Sequence, residues 1–337
     1  MTLQLDSWAV AGAGSSPQIA RLMLTSATRS GNGIVEAPDM EVRELAVPGT
    51  SVRVGAGAAV ALGKEAVFQG SYYAFNIGEE EVPVSPTDAG GGRSDLLILR
   101  VEDPNIDGTP WTHDPATDKI YYFRVIEGVA PDTTEVPAGT TGVALARIDI
   151  PVSTATITQD MIVDVRQVAN PNRQRELRVM RGGGQEDGRD DSADYTADFE
   201  RWPQHDWTVD IPAWATQVQV LAQWSNVWYP APMDGTGGNY DARGQVRVGL
   251  IGGAPNNILT PHTEYNFNPT TATNGYRCSI GLAAQVDIPE EMRGTTVQLR
   301  MYAKSDADRI IFLRADGWSN FSCDLEFLEV AAPEAAP

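Results

Sequence analysis

The three histidines of the chain, His113, His205 and His262, are the first residues to consider for acid–base or metal chemistry. Each stands in a different turn-rich stretch, and no HxH or HExxH spacing occurs, which favours exposed loop histidines. The GxSxG of a serine nucleophile and the GxxxxGK[ST] of a phosphate-binding loop are also missing from the sequence. A glycosidase needs two acids about 5 to 9 Å apart, and no spacing singles out a pair among the 45 acidic residues. We therefore expect that this protein is not an enzyme.

Oxygen-bearing side chains cluster in one glycine-rich stretch, which contains Asp234, Asn239 and Asp241. Carboxylate and amide oxygens are the ligands of calcium, a hard cation. The spacing departs from the EF-hand pattern, and hairpin turns use the same residue types. Calcium binding and an ordinary turn are therefore both open for this stretch, and we expect no other cofactor.

Six of the eight tryptophans follow residue 200. Trp207 and Trp224 lie in strand-like runs and are expected to fill a core. Trp228, Tyr229 and Trp318 stand beside turn residues, so we expect them to be exposed contact residues. Flat aromatic rings suit half-wet surfaces and can stack on sugars. These three residues are the candidate glycan contacts.

The elements that must position these residues read as β-strands. Residues 96–99 form a continuous apolar run, typical of a strand covered on both faces. Residues 121–126 alternate with a period of two, and a third strand-like run covers 142–150. Residues 17–28 suit either a strand or a short helix. Thr158 is a good N-cap, so we expect one helical turn over 158–162 before a closing strand at 163–168.

Strand patterns return after residue 201, separated by turns rich in glycine, proline and asparagine. No helical crossovers of sufficient length separate them, which disfavours a parallel sheet. We predict an all-β protein with two β-sandwich or jelly-roll-like domains joined by a polar, glycine-rich linker. The predicted boundaries are 1–170 for the first domain, 171–200 for the linker, 201–332 for the second domain and 333–337 for a frayed tail.

The predicted linker is unusually charged. It begins with four arginines, Arg173, Arg175, Arg178 and Arg181, and continues through three glycines into an acidic run. Sparse apolar residues and consecutive glycines are typical of a solvated linker. The alternative is that the arginines pack on a neighbouring acidic subunit, which makes them candidate subunit contacts.

The first half of the chain also resembles a known family. Its short phrases are similar to the N-terminal module of minor tail proteins from long-tailed phages of actinobacteria. They are GGRSD at 91–95 leading into LLILRVED at 96–103, ARID at 146–149, IT at 157–158, IVDVR at 162–166, and the upstream stretches 52–64 and 70–73. Ser94 departs from the aliphatic residue expected before the aspartate.

This resemblance implies a structural role in the phage tail tip, or baseplate, with no catalytic signature. It implies that the first domain anchors the chain to other tail-tip proteins, while the second varies and projects toward the host. Three-fold or six-fold homo-oligomers follow from the same resemblance, and an extended arm at 1–14 is a second candidate subunit contact. The alternative function is a carbohydrate-binding module that recognises host cell-wall glycan.

Composition limits the partners further. A net charge of −20 argues against nucleic acid, whose phosphates need Lys and Arg, and against an anionic bilayer. The first residues do not resemble a signal peptide, and no run is long enough to span a membrane. We therefore expect synthesis in the host cytoplasm, no membrane insertion, and a final location in the virion. Cys278 and Cys323 should be buried thiols, with a disulfide as the alternative.

Overall fold

The computed structural model describes residues 14, 16–106, 114, 116–181, 198–229, 241–253, 255, 257–267, 275–306 and 313–331. The chain is nearly all β with several antiparallel sheets, which confirms the predicted fold class. It divides into two compact units. Unit 1 comprises Met1–Pro171 with Val330–Pro337, and unit 2 comprises Asn172–Glu329.

Unit 1 begins with the only α-helix among the described residues, α1 (Pro17–Ala27). Proline at the first helical position is preorganised for a helix start. The two interpretations left open for 17–28 are thus resolved in favour of a helix. Its strands are β1 (Gly33–Ile34), β2 (Val42–Glu44), β3 (Ser51–Val54), β4 (Gly57–Leu62), β5 (Ser71–Asn76), β6 (Glu80–Pro83), β7 (Arg93–Val101), β8 (Tyr121–Val129), β9 (Gly142–Ile150) and β10 (Ile162–Asp164).

Three antiparallel sheets build unit 1, in the orders β1-β4-β5, β2-β3-β6 and β10-β9-β7-β8. Strand β7 is covered on both faces, as its apolar run predicts. Leu97 and Leu99 belong to the main core of the unit, whereas Leu96 and Ile98 belong to a second, smaller cluster. The predicted helical turn is a 3-10 turn at Gln159–Met161 that follows Thr158. The closing strand β10 is shorter than expected.

Arginine–aspartate pairs join charged residues that stand two apart on β7 and β9. On β7, Arg93 donates to Asp95 from Nε at 2.7 Å and from Nη2 at 2.8 Å. On β9, Arg147 donates to Asp149 at 2.9 Å, and the Ser94 hydroxyl reaches Asp149 at 2.7 Å. The Arg147 guanidinium lowers the pKa of Asp149.

A third pair follows the same rule after β10. Arg166, whose side chain is fully buried, donates to Asp164 at 2.7 Å and to the Asp39 carbonyl at 2.6 Å. Each pair joins residues two apart, which extended backbone places on the same face. These three pairs therefore stabilise the sheets of unit 1.

Unit 2 contains β11 (Arg173–Arg181), β12 (Glu200–Arg201), β13 (Trp207–Asp210), β14 (Gln217–Tyr229), β15 (Ala242–Ile251), β16 (Asn257–Leu259), β17 (Thr263–Phe267), β18 (Tyr276–Asp287), β19 (Thr296–Ser305) and β20 (Asn320–Leu328), with a 3-10 turn at Glu290–Met292. One sheet has the order β11-β20-β14-β18. In the other, β19 lies between β15 and the pair β12 and β13, and β15 pairs with β16 and β17. If β12 and β13 are counted as one strand, and β16 and β17 as another, unit 2 has eight strands, numbered 1 to 8 from β11 to β20. The two sheets then have the strand orders 1-8-3-6 and 2-7-4-5. This is jelly-roll topology.

The segment predicted as a linker requires a correction. Arg173–Arg181 is a nine-residue strand that pairs along its whole length with β20, and so belongs to the jelly roll. Its alternating pattern turns Met180 toward the core while Leu177 and Val179 stay exposed. At the other end, Val330 and Ala331 group with unit 1 rather than with the second domain, and Ala331 packs against the unit 1 core.

The core of unit 2 lies between its two sheets, and it confirms the prediction that two tryptophans point inward. Trp207 and Trp224 are buried, and the Trp224 indole donates to the Trp202 carbonyl at 2.8 Å. Both cysteines are free thiols that face this core, Cys323 buried and Cys278 half-buried. Burial raises the pKa of each thiol to about 12, so both are protonated near neutral pH.

Candidate contact site

The candidate site of unit 2 is one corner of the jelly roll, built by Asn226, Trp228, Arg277, Asp316, Trp318 and Ser319 and called here the Trp318 corner. Trp318 itself has 70% of its surface exposed. A tight turn holds its backbone, because the Trp318 N–H donates to Asp316 Oδ1 at 2.9 Å and the Ser319 N–H to the Asp316 carbonyl at 2.9 Å. A large apolar ring is therefore presented to solvent from a fixed turn.

An ion pair fixes the turn to strand β18. The Arg277 guanidinium reaches Asp316 through Nη1 at 2.7 Å and Nη2 at 2.5 Å, a bidentate geometry. This contact lowers the pKa of Asp316 and raises that of Arg277. The carboxylate and the guanidinium are about 30% exposed or less, so the pair is only partly screened by solvent.

A β-bulge in β14 supplies the third part of the corner. The pairing of β14 with β18 shifts between Trp224 and Val227, and Asn226 adopts a left-handed φ of 57°. Its side chain donates to the Trp318 carbonyl at 2.8 Å, and its own carbonyl accepts from Arg277 at 2.9 Å. Asparagine tolerates this backbone region better than most residues.

The two neighbouring aromatic residues have different positions. Trp228 is half-buried on the outer side of β14, with the Arg277 guanidinium 5.2 Å from its ring centroid. Tyr229 is fully buried and stacks on Tyr276 at 4.8 Å, so the prediction that it is exposed was wrong. The reason is that β14 continues through Tyr229, whose side chain follows Val227 into the core.

Three of the four arginines of β11 have acidic partners within unit 2. Arg173 lies 3.8 Å from Glu326, Arg175 donates to Asp324 at 2.8 Å, and Arg178 pairs with Glu176 at 2.6 Å. Arg181 is exposed at the end of the strand. A role for these residues in subunit contact remains a prediction, and three of the four charges are already compensated within the chain.

The glycine-rich stretch gives little support for calcium. Asp234 and Asn239 lie outside the described residues. Asp241 is buried and accepts from Arg243 at 2.6 Å, so a cation already balances its charge. Within the described ranges no group of three His, Cys, Asp or Glu side chains is arranged to hold a metal ion.

Of the other candidates, His113 lies outside the described residues. His205 packs edge-on against Trp207 at 5.0 Å, and His262 lies 6.5 Å from the Phe199 ring, so both make aromatic contacts. No helix in the described part of the chain has the length and apolar character required to cross a membrane.

Sequence reasoning found Trp318 and Trp228 but missed the rest of the corner. Asn226, Arg277 and Asp316 are far apart in sequence, and register alone brings them together. The only local signal was the Asp-Gly turn before Trp318, which predicts exposure but not the partner strand.

No family model and no curated protein matches the chain. Solved structures that match include the T13 infectious bursal disease virus particle, at 13% identity over 94% of this chain and 80% of that chain, with a TM-score of 0.25. A Cry1Da tryptic core variant from Bacillus thuringiensis matches at 12% identity over 91% and 54%, with a TM-score of 0.19. The CBM22-1–CBM22-2 tandem of Paenibacillus barcinonensis Xyn10C matches at 12% identity over 89% and 100%, also with a TM-score of 0.19. TM-scores this low carry no argument about family or function, and the fold class stands on the chain's own strands.

Proposed function

We propose that this chain is a structural protein of a virion, located in the tail tip or baseplate of a long-tailed phage. The observation that carries the proposal is the resemblance of its first half to minor tail proteins. Six charged residues of the resembling phrases form three arginine–aspartate pairs, on β7, on β9 and at the end of β10. Such a use of charge suits a scaffold rather than a reaction centre.

The two units suggest a division of labour. Unit 1 carries the phrases of the anchoring module, and unit 2 is a jelly roll with an exposed tryptophan at one corner. In this proposal unit 1 joins other tail-tip proteins in a three-fold or six-fold homo-oligomer, and unit 2 projects toward the host surface. The net charge of −20 favours basic protein partners.

Gold labelling of purified phage particles tests the location. Antibodies against the recombinant chain should place gold at the tail tip in electron micrographs, and free protein should block the labelling. Gold on the capsid, or none on intact and disrupted particles alike, would refute the tail-tip role.

A second candidate function is recognition of host cell-wall glycan, favoured by the exposed, turn-anchored ring of Trp318. In the full chain, Trp318→Ala should weaken binding to host cell-wall glycan about ten-fold, the loss expected for one aromatic stacking contact. Tyr73→Ala is the matched control, since it removes an aromatic ring 55% exposed in unit 1. If the unmodified chain and both variants bound the glycan equally, or if none of them bound it, glycan recognition through Trp318 would be refuted.

A further inference from the structure

Two of the strand edges of the molecule differ sharply in their protection. Edge strand β11 carries five charged side chains, Arg173, Arg175, Glu176, Arg178 and Arg181, a pattern that prevents further pairing. Edge strand β5, with the sequence SYYAFN, has no charge and no proline. Its outward residues Tyr73 and Phe75 are 55% and 52% exposed. An uncharged aromatic edge is a template for another strand.

A furrow runs along this edge of unit 1. Two cavities of about 480 Å³ each follow β5, the first lined by Ser71, Tyr72 and Tyr73, the second by Phe75, Asn76 and Ile77. Both are also lined by Ile120 and Tyr121, at the start of β8, so the two cavities adjoin and are together called the furrow. Because β8 is itself the edge of its sheet, the furrow lies between two sheet edges.

The first turns of helix α1 line one end of the furrow. Its residues Pro17, Ala20 and Arg21 line the first cavity, and Arg21 donates to the Gln69 carbonyl at 2.7 Å. A buried hydrogen bond holds the wall there, since the Tyr72 hydroxyl donates to Asp103 at 2.8 Å. Pro17, where α1 begins, therefore lies near the Ser71 end of β5.

We infer that this furrow binds residues 1–13 of the same chain, added to β5 as an antiparallel strand. A segment that runs back from Pro17 along the furrow toward Ile77 is antiparallel to β5. The span from Ser71 to Ile77 needs about 20 Å, at roughly 3.4 Å per residue, so thirteen residues suffice. The short tether also gives the chain's own segment a high effective concentration.

The composition of residues 1–13 fits the same furrow. The segment has one charged side chain, Asp6, whereas charged residues make up 21% of the whole chain. Leu3 and Leu5, and again Trp8 and Val10, are spaced two apart, so extended backbone places each pair on one face. In one continuous strand the two pairs lie on opposite faces, so one pair would lie beside the exposed rings of Tyr73 and Phe75 and the other would face into the furrow.

Hydrogen–deuterium exchange of the full chain and of a chain lacking residues 1–13 tests this assignment. Truncation should speed exchange of the β5 amides at least ten-fold and leave β11 and β14 unchanged, because only the β5 edge loses a partner. A synthetic peptide of residues 1–13 should restore protection in the truncated chain. Unchanged β5 exchange, failure of the peptide, or β5 protection that is lost on dilution of the full chain would overturn the proposal. The last result would mean that another copy supplies the strand.

A full-length variant covers the case in which truncation prevents folding. Phe75→Lys places a charge on the solvent-facing side of β5 and should reproduce the faster exchange. Phe68→Lys is its matched control, since Phe68 is 69% exposed but lines neither cavity. Equal exchange of the β5 amides in Phe75→Lys and Phe68→Lys would overturn the proposal, and so would β5 exchange in Phe75→Lys that matches the unmodified chain.

Discussion

Asp95 and Asp149 accept from arginine in the same two-residue geometry but in different surroundings. The Asp95 carboxylate is fully buried, while that of Asp149 is 40% exposed. Asp95 also accepts from the Gly128 N–H at 3.0 Å. An amide at position 95 would set its NH2 group against the donors of Arg93 and Gly128 with no water to accept from it, whereas an amide at position 149 could hydrogen-bond to solvent.

We therefore predict that Asp95→Asn destabilises unit 1 by about 3 kcal/mol. Asp149→Asn, the matched control with the same charge change, should cost about 1 kcal/mol or less. Urea unfolding followed by circular dichroism measures both. Equal losses would show that burial does not set the strength of these pairs.

The Arg277–Asp316 pair makes the stability of unit 2 dependent on pH. Because hydrogen bonding to Arg277 lowers the pKa of Asp316, the folded state favours the ionised carboxylate. The resulting stability is present above the pKa of the unfolded chain, about 3.9. It is lost as the pH falls through the lower pKa of the folded state.

Asp316→Asn should accordingly cost about 1 kcal/mol at pH 7 and much less at pH 3. Tryptophan fluorescence during urea unfolding reports mainly on unit 2, which holds six of the eight tryptophans. Glu264→Gln, at an exposed position on β17, controls for the removal of one negative charge from a chain of net charge −20. A loss that is the same at both pH values would exclude the ion pair as its cause.

Single residues also show where sequence reasoning stops. Burial of Trp207, Trp224 and Cys323 follows from strand parity, which is local. Tyr229 was expected to be exposed because it stands beside turn residues, but β14 continues through it. Strand parity from Trp224 would not have placed it either, since Trp224 and Val227 both face the core although they are three residues apart. A bulge depends on pairing with the partner strand, so it cannot be predicted from the residues around it.

At the scale of elements, the main difference between the predicted and the observed second domain is β11, which was predicted to be linker and is a strand of unit 2. Its pattern shows few inward apolar residues, since it is an edge strand, and its partner β20 follows some 140 residues later. Composition therefore favoured a linker. Local period located the central strands β14, β15, β18, β19 and β20, because each has an apolar face on the core.

A fragment that begins at residue 201 should consequently be less stable than one that spans 172–329. Without β11, the β20 edge loses its nine-residue partner and Met180 no longer covers the core. We expect a loss of about 3 kcal/mol or more, a large share of the 5 to 15 kcal/mol typical of a domain. Thermal unfolding of the two fragments measures it. Equal melting temperatures would mean that β11 is dispensable.

For the whole molecule, the two-residue period of apolar side chains and the positions of turn residues were sufficient to predict the all-β class, because both are properties of neighbouring residues. Strand order, the jelly-roll pairing and the grouping of Val330 with unit 1 depend on contacts between distant residues. The proposed role lies beyond both, since it comes from the resemblance of short phrases. Those phrases fold into paired strands, and their charges are used within unit 1.

Quantitative mass spectrometry of purified phage particles tests that role most directly. If the chain is a tail-tip protein, intact particles should contain it in a small fixed number of copies, three or six, that survives a high-salt wash. Particles that are complete and infective without the chain would contradict the account.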